Sequence, residues 1–374
     1  MPKPPVWFWQ CIVTPHMAIL ADALAGQGTP VVYVASERMS AERGQQGWAA
    51  PSLKTAQLTI AHDETAVQAL VQSAPANSIH LCQGLRGNGL VAVAQQHLRV
   101  RGLRLWVIME TVDDAGRFGI LKRLIYRWLF WRWRNALEGV LTIGADTPDW
   151  VVARGMPHSK VFPFAYFLCE PDRQELQSIW DVLADTRPYR FIFVGNLIER
   201  KRVDRLISAI ASLNRPDVDL LVVGCGPEEV SLKAQASELL PGQVQWLGRK
   251  TMSEIPEVMA QADCLVLPSR HDGWGAVVSE ALMVGTPAIC SDACGSSVVV
   301  SSSGRGAVFP AGDDVALTDA LRKQVDAGRV SIQSRQELAQ WATCLGALTG
   351  ADYLKRILVS EMDGAIRPTP PWNT

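Results

Sequence analysis

Short apolar runs alternate along almost the whole chain with longer stretches in which apolar positions recur at helical spacing. Strands buried on both faces read as continuous apolar runs, so this alternation predicts a doubly wound parallel α/β architecture. In the first half it predicts strands over Val6–Val13, Val31–Ala35, Ser78–Cys82, Leu105–Met109 and Gly139–Ile143, with helices such as Met17–Ala25 and Ala66–Ser73 between them. The stretch Pro163–Arg190, with Pro171 and Pro188, predicts the crossing between domains. A second alternation begins with a strand at Phe191–Gly195 and a helix at Val203–Leu213. It continues through Leu220–Gly224, Glu228–Leu239, Val244–Leu247, Ser253–Gln261, Cys264–Pro268, Gly275–Val284 and Pro287–Ser291. Residues Val315–Glu361 are predicted mostly helical, and the end PTPPWNT is expected to fray.

A chain of 374 residues is longer than one hydrophobic core sustains. The predicted division is residues 1–170, an N-terminal Rossmann-like domain, and 171–345, a C-terminal one. Residues 346–374 would be a C-terminal helix packing back on the first domain, with a frayed tail. Composition adds exclusions. The chain is 48% hydrophobic and 20% charged, with a formal net charge of -1, which disfavours a nucleic-acid partner. No apolar run reaches membrane-span length, and the N-terminal MPKPPVWFWQCIV reads as a first strand rather than a signal peptide. The eight cysteines are scattered, with no C-x-x-C pair, and point to a reducing, cytoplasmic compartment.

The chemistry concentrates in LPSRHDGWGAVVSEALMVGTPAICS, residues 267–291. A buried strand ends there, the loop Gly273-Trp274-Gly275 follows, and a helix is predicted to start near Ala276. In an open α/β sheet ligands bind beyond the carboxyl ends of strands. The backbone N–H groups from Gly275 through Ala276 and Val277 to Val278, aided by the helix dipole, would face a diphosphate. Asp272 and Glu280 are eight residues apart. That spacing puts one carboxylate near the sugar end of a bound nucleotide and the other within reach of its ribose.

Asp272-x7-Glu280 followed by ALMVGTP resembles the E-x7-E signature of retaining glycosyltransferases of family 4 (GT4), whose fold is GT-B. The resemblance implies two Rossmann-like doubly wound domains facing a central cleft, with the donor bound by the C-terminal one. It implies that Glu280 binds the ribose hydroxyls and that Asp272, where the family usually has Glu, contacts the donor sugar. FVGNLIERKRVDRLI is similar to the family element whose Arg and Lys embrace the donor diphosphate. Lys201 stands at the Lys position, Asn196 replaces the Arg, and Arg200 or Arg202 could compensate. Trp246-Leu-Gly-Arg249 matches the loop that borders the base. No metal or other cofactor is expected, since Asp217-Val-Asp219, formally a D-x-D, precedes a buried strand at the wrong end of its unit.

On the acceptor side, Glu110 ends the strand LRLWVIM, where a carboxylate could take or orient a hydroxyl proton. Asp113 and Asp114 are alternatives. His16, at the start of the first helix, also faces the cleft in this fold. Residues 117–136 hold six basic residues, three Trp and no acid. Phe118, Leu121, Leu124, Ile125, Trp128 and Leu129 share an arc expected to face the core, while Phe130 and Trp133 fall among Arg123, Arg127 and Arg134. That mixed face would suit an anionic membrane surface.

The expectation is an enzyme of GT-B fold that moves a sugar, with retained configuration, from a nucleotide-diphosphate sugar to a sugar or lipid-linked acceptor. It would act in lipopolysaccharide, exopolysaccharide or glycolipid synthesis, in the cytoplasm or at the inner face of its membrane. The alternatives are a nucleotide-sugar 2-epimerase of the same fold and a non-catalytic nucleotide-sugar-binding protein.

Overall fold

Strand β1 (Val6–Ile12) is apolar except for the buried Gln10 and lies inside a seven-stranded parallel sheet, between two neighbouring strands. The other strands are β2 (Val31–Glu37), β3 (Gln57–Ile60), β4 (Ile79–Gln83), β5 (Arg104–Glu110), β6 (Leu137–Ile143) and β7 (Val161–Phe164). Their order is β3-β2-β1-β4-β5-β6-β7, so the winding direction reverses between β1 and β4. A second parallel sheet of six strands contains β8 (Tyr189–Val194), β9 (Val218–Val223), β10 (Val244–Gly248), β11 (Cys264–Leu267), β12 (Ala288–Ser291) and β13 (Gly306–Phe309). Its order, β10-β9-β8-β11-β12-β13, reverses between β8 and β11. This computed structural model describes residues 3–40, 50–183, 187–363 and 367–373.

The chain divides into two units, Met1–Cys169 with Gly346–Thr374, and Glu170–Leu345. In the first, the helix Ala347–Asp363 packs on the helix Pro15–Gly26. In the second, β8 and β11 are locked at their amino ends by a buried carboxylate. Asp263 accepts two 2.7 Å bonds from Arg187 and one of 2.8 Å from the Arg190 amide. Buried Arg335 lies 3.5 Å from the same carboxylate and donates to the carbonyls of Ala260 and Ala262. Losing one member of such a network strands a buried charge, so it holds the two strands in fixed register. Among the described residues no helix is long and apolar enough to cross a membrane.

Three expectations change. Residues 163–183 of the crossing segment hold more regular structure than its prolines imply. Pro163 lies inside β7, which pairs only with β6 and so tolerates a residue without an N–H. Beyond it, Asp172 caps the helix Arg173–Asp181 by accepting from the amides of Gln174 and Glu175. The C-terminal tail is not frayed through residue 373, because Trp372 is buried against Phe167 and Tyr353. The helix Gly119–Trp133 is turned the other way round. Tyr126, Phe130 and Trp133 are buried, Phe130 and Tyr126 beside the ring of Trp150 and Trp133 under Arg99. Phe118, Leu121, Leu124 and Trp128, expected inside, are exposed, and Ile125 and Leu129 are half-buried. The segment is apolar on nearly every side, so its periodicity alone could not choose the inner face.

Candidate active site

At the reversal between β8 and β11 two loops leave the sheet side by side, the position at which open α/β sheets bind ligands. The first loop, Gly195–Arg202, lies against the turn after β9. The amide of Leu197 donates to Cys225 O and that of Glu228 to Leu197 O. This approach needs glycine, since a Cβ on Gly224 would lie 1.9 Å from Gly195 O. The loop then tightens into a 3-10 turn, Glu199–Lys201, which ends at Arg202 in the left-handed region (φ 54°). The second loop, residues 268–275, is pinned to the segment after β12. The Asp272 amide donates to Ala293 O, and Asp272 O accepts from Gly295 N.

Lys201 and Asp272 meet across this junction. Lys201 Nζ lies 2.5 Å from Asp272 Oδ2, with both side chains largely withdrawn from solvent. The loops are joined further by the Arg270 amide donating to Arg200 O and by the Arg200 guanidinium donating to His271 O. An ammonium has three donor protons, so Lys201 can keep Asp272 and still bind an anion.

Beside the pair starts the helix Ala276–Met283. Its first residue follows Gly275, which has φ 79°, and a Cβ there would lie 2.8 Å from Leu267 Cδ2. Among the described residues no side chain caps the helix, and its first amides have no acceptor within it. Val278 is the exception to the expected row of open N–H groups, since its amide donates to Gly275 O. The loop's aromatic ring is structural: Trp274 is buried and its Nε1 donates to Ser279 Oγ. Gly273, Ala276 and Val277 are half-exposed.

Glu280 lies one turn into this helix, partly buried, and its carboxylate has no hydrogen bond or ion pair among the described residues. Burial pushes its pKa up to about 7. Ser296, absent from the sequence reading, supplies a second unsatisfied group. Among the described residues its hydroxyl is buried without a partner, 3.3 Å from where a Gly275 Cβ would be. Ser296 belongs to an ordinary Gly-Ser-Ser turn, and only the packing of Gly275 against it marks it out.

The remaining donor-side candidates take other positions. Asn196 is exposed. Arg202 forms a two-pronged contact with Asp204 at 3.0 and 2.8 Å, which raises its pKa. Arg249 Nη2 contacts Cys225 Sγ at 2.9 Å. Asp217 of the apparent D-x-D is paired with Arg215.

In the other unit, two candidates distant in sequence are joined by a residue the sequence did not single out. Tyr166 OH donates to Glu110 Oε1, and its ring stacks on His16 with centroids 4.7 Å apart. Tyr166 follows β7, Glu110 ends β5 and His16 opens the helix after β1, so all three lie at the carboxyl edge of one sheet. Asp113 is exposed and accepts from the Ala115 amide. Asp114 is a framework residue. Burial opposes its charge, but bonds from Trp150 and Arg154 hold its pKa below the ordinary carboxylate range.

The crystal structure of Anabaena HepE in complex with UDP matches with a TM-score of 0.73 and 15% identity, covering 96% of this chain and 100% of that one. The fold is GT-B. Residues 175–342, which include the whole Lys201–Asp272 junction, match the family model described as glycosyl transferases group 1. The phosphatidyl-myo-inositol mannosyltransferase of Mycobacterium leprae (strain TN) is 34% identical over 134 residues, 35% of this chain and 35% of that protein. A GDP-mannose-dependent alpha-mannosyltransferase of Mycobacterium tuberculosis (strain CDC 1551 / Oshkosh) is 26% identical over 245 residues, covering 63% of this chain and 62% of its own. The chain thus spans about a third of the length of the first curated relatives it matches.

The raised pKa of Glu280 has a sign that can be measured. A glutamate at about 7 in the folded chain and 4.5 in the unfolded one costs stability as pH rises from 4.5 to 7, in full above 7. Glu280→Gln is therefore expected to be more stable than wild type at about pH 8, by up to about 3 kcal/mol, and no more stable near pH 4.5. Thermal unfolding of both proteins across that range checks it, and parallel curves would remove the burial assignment.

Proposed function

We propose that the protein is a metal-independent, retaining glycosyltransferase that moves a sugar from a nucleotide-diphosphate donor to an acceptor hydroxyl. The observation that carries this reading is the Lys201–Asp272 pair beside the uncapped start of the helix Ala276–Met283. A donor diphosphate placed there would meet the Lys201 ammonium and the open amides of Ala276 and Val277, a preorganised positive site for charge that builds as the leaving group departs. Asp272 would face the sugar and help hold positive charge at the reacting carbon, and Glu280 would accept from the ribose hydroxyls. The carbon–oxygen bond to the diphosphate breaks, a bond to the acceptor oxygen forms, and the acceptor hydroxyl gives up its proton. The group 1 model over residues 175–342 supports the donor half of this reading.

Glu110, Tyr166 and His16 are the acceptor-side group of the proposal. Glu110 would orient the acceptor hydroxyl or take its proton, and Tyr166 holds the carboxylate in place. The acceptor is a sugar or a lipid-linked sugar, of the kind used to build lipopolysaccharide, exopolysaccharide or glycolipid.

Incubation with a panel of UDP- and GDP-sugars and sugar acceptors, followed by product analysis, tests the reading. A transfer product with retained configuration is expected, and an epimerised donor or no turnover would replace the proposal. Turnover is expected to survive thorough chelation. Lys201→Ala is expected to lower kcat by roughly 100-fold or more at saturating donor, the scale of losing one charge-stabilising donor. Activity that vanished in chelator and returned with Mn²⁺ would contradict the metal-free chemistry.

Tyr166→Phe separates the two halves of the site. It removes one bond to a carboxylate, so turnover is expected to fall roughly ten-fold or more. The stabilisation of the protein by donor in a thermal-shift assay is expected to stay the same. Loss of donor binding in this variant would show that Tyr166 acts through the fold and not through Glu110.

A further inference from the structure

The outward face of the helix Gly119–Trp133 carries large apolar groups where a surface helix normally carries polar ones. Phe118 is 60% exposed, Ile120 65%, Leu121 55%, Leu124 59%, Trp128 54% and Trp131 63%. Leu121, Leu124, Trp128 and Trp131 recur every three or four residues, so they form one ridge along the helix rather than scattered exposures. The inner face is already satisfied by Tyr126, Phe130 and Trp133. Among the described residues the ridge therefore has no partner within the first unit.

Its surroundings identify what covers it. Arg117, Arg123, Arg127, Arg132 and Arg134 are all exposed beside the ridge, and residues 115–137 contain no acid. Arg117 lies over the Phe118 ring and Arg132 over the Trp128 ring, so charge and aromatic surface are interleaved. Arg123 is partly balanced by Asp114 at 3.6 Å. Arg127 and Arg134 make no ion pair among the described residues. A second copy of the chain is a poor occupant, because a symmetric contact would set these arginines against their own kind. A bilayer surface matches both properties. Trp and Phe rings are favoured at the boundary between headgroups and acyl chains, and arginines beside them meet anionic phosphates.

We propose that this ridge docks the protein on an anionic membrane surface, with Leu121, Leu124, Trp128 and Trp131 entering the boundary layer and the arginines contacting lipid phosphates. Because the helix follows β5, docking would hold the carboxyl edge of the first sheet, with Glu110, near the lipid.

Vesicle co-sedimentation of the full chain tests this, read as the bound fraction. It is independent of turnover, so it succeeds or fails separately from the transferase reading. Wild type is expected to bind vesicles of phosphatidylcholine containing roughly 30% phosphatidylglycerol, and to bind pure phosphatidylcholine far more weakly, since fixed anionic charge supplies much of the attraction. A triple Arg127→Ala/Arg132→Ala/Arg134→Ala variant is expected to bind the anionic vesicles roughly 100-fold more weakly, at about five-fold per basic residue. Leu121→Ser/Trp128→Ser/Trp131→Ser is expected to lose binding as well, although its arginines remain, which separates insertion from charge attraction alone. All the altered positions are exposed, and unchanged melting temperatures verify that the variants are folded. Equal partitioning of wild type and both variants would overturn the proposal. So would a wild-type dimer in solution that the serine variant converts to monomer, because the ridge would then be covered by a second copy.

Discussion

The ion pair between Lys201 and Asp272 is the constraint on which the arrangement of the second unit's ligand edge depends. It joins two loops that leave adjacent strands at the one place where the sheet reverses its winding. The same strands are fastened at their opposite ends by Asp263 with Arg187 and Arg335. A pair of strands clamped at both ends cannot slide or splay without breaking charged contacts in poorly solvated surroundings, where such breaks are expensive. The loops between the clamps are thereby preorganised, and the helix Ala276–Met283 presents its open amides in a fixed direction.

This arrangement also assigns different work to neighbouring cations. Arg202 and Arg200 lie next to Lys201 in sequence, yet each is engaged elsewhere, Arg202 by Asp204 and Arg200 by the His271 carbonyl. Lys201 alone of the three faces a carboxylate from the second loop, and its partner is a shorter side chain than the glutamate the resembling family usually carries. The aspartate draws the ammonium toward the loop that leads into the helix. On the proposed function, an anion arriving there would meet a positive group already oriented, at the cost of competing with Asp272 for it.

How much of this was legible in the sequence depends on how local the deciding interaction is. The inner strands were readable because both of their faces are buried, which leaves a nearly continuous apolar run, broken only by Gln10 in β1 and unbroken in β11. The edge strands β3, β7 and β13 were not, although the edge strand β10 was: each of the three is only four residues long, and β7 contains Pro163. Lys201, Asp272 and Glu280 could be named from spacing and resemblance, but their pairing is a long-range fact: residues 201 and 272 meet only because β8 and β11 are neighbours. Tyr166 and Ser296 left no local signal. Each matters through a group brought to it by the sheet, Glu110 and His16 in one case and Gly275 in the other. The helix Gly119–Trp133 failed for a different reason. Its apolar residues surround the helix, so the face that packs is chosen by the Trp150 ring and Arg99, both contributed by other elements.

On the proposed function, Lys201 and Asp272 act as one unit on a diphosphate. A double-mutant cycle measures this directly, using the affinities of UDP and GDP for wild type, Lys201→Met, Asp272→Asn and the double variant by titration calorimetry. Lys201→Met is expected to weaken binding, Asp272→Asn to strengthen it by freeing the ammonium, and the two effects to be coupled by about 1 kcal/mol or more. Effects that add to within about 0.3 kcal/mol would contradict the account and place the diphosphate away from this pair.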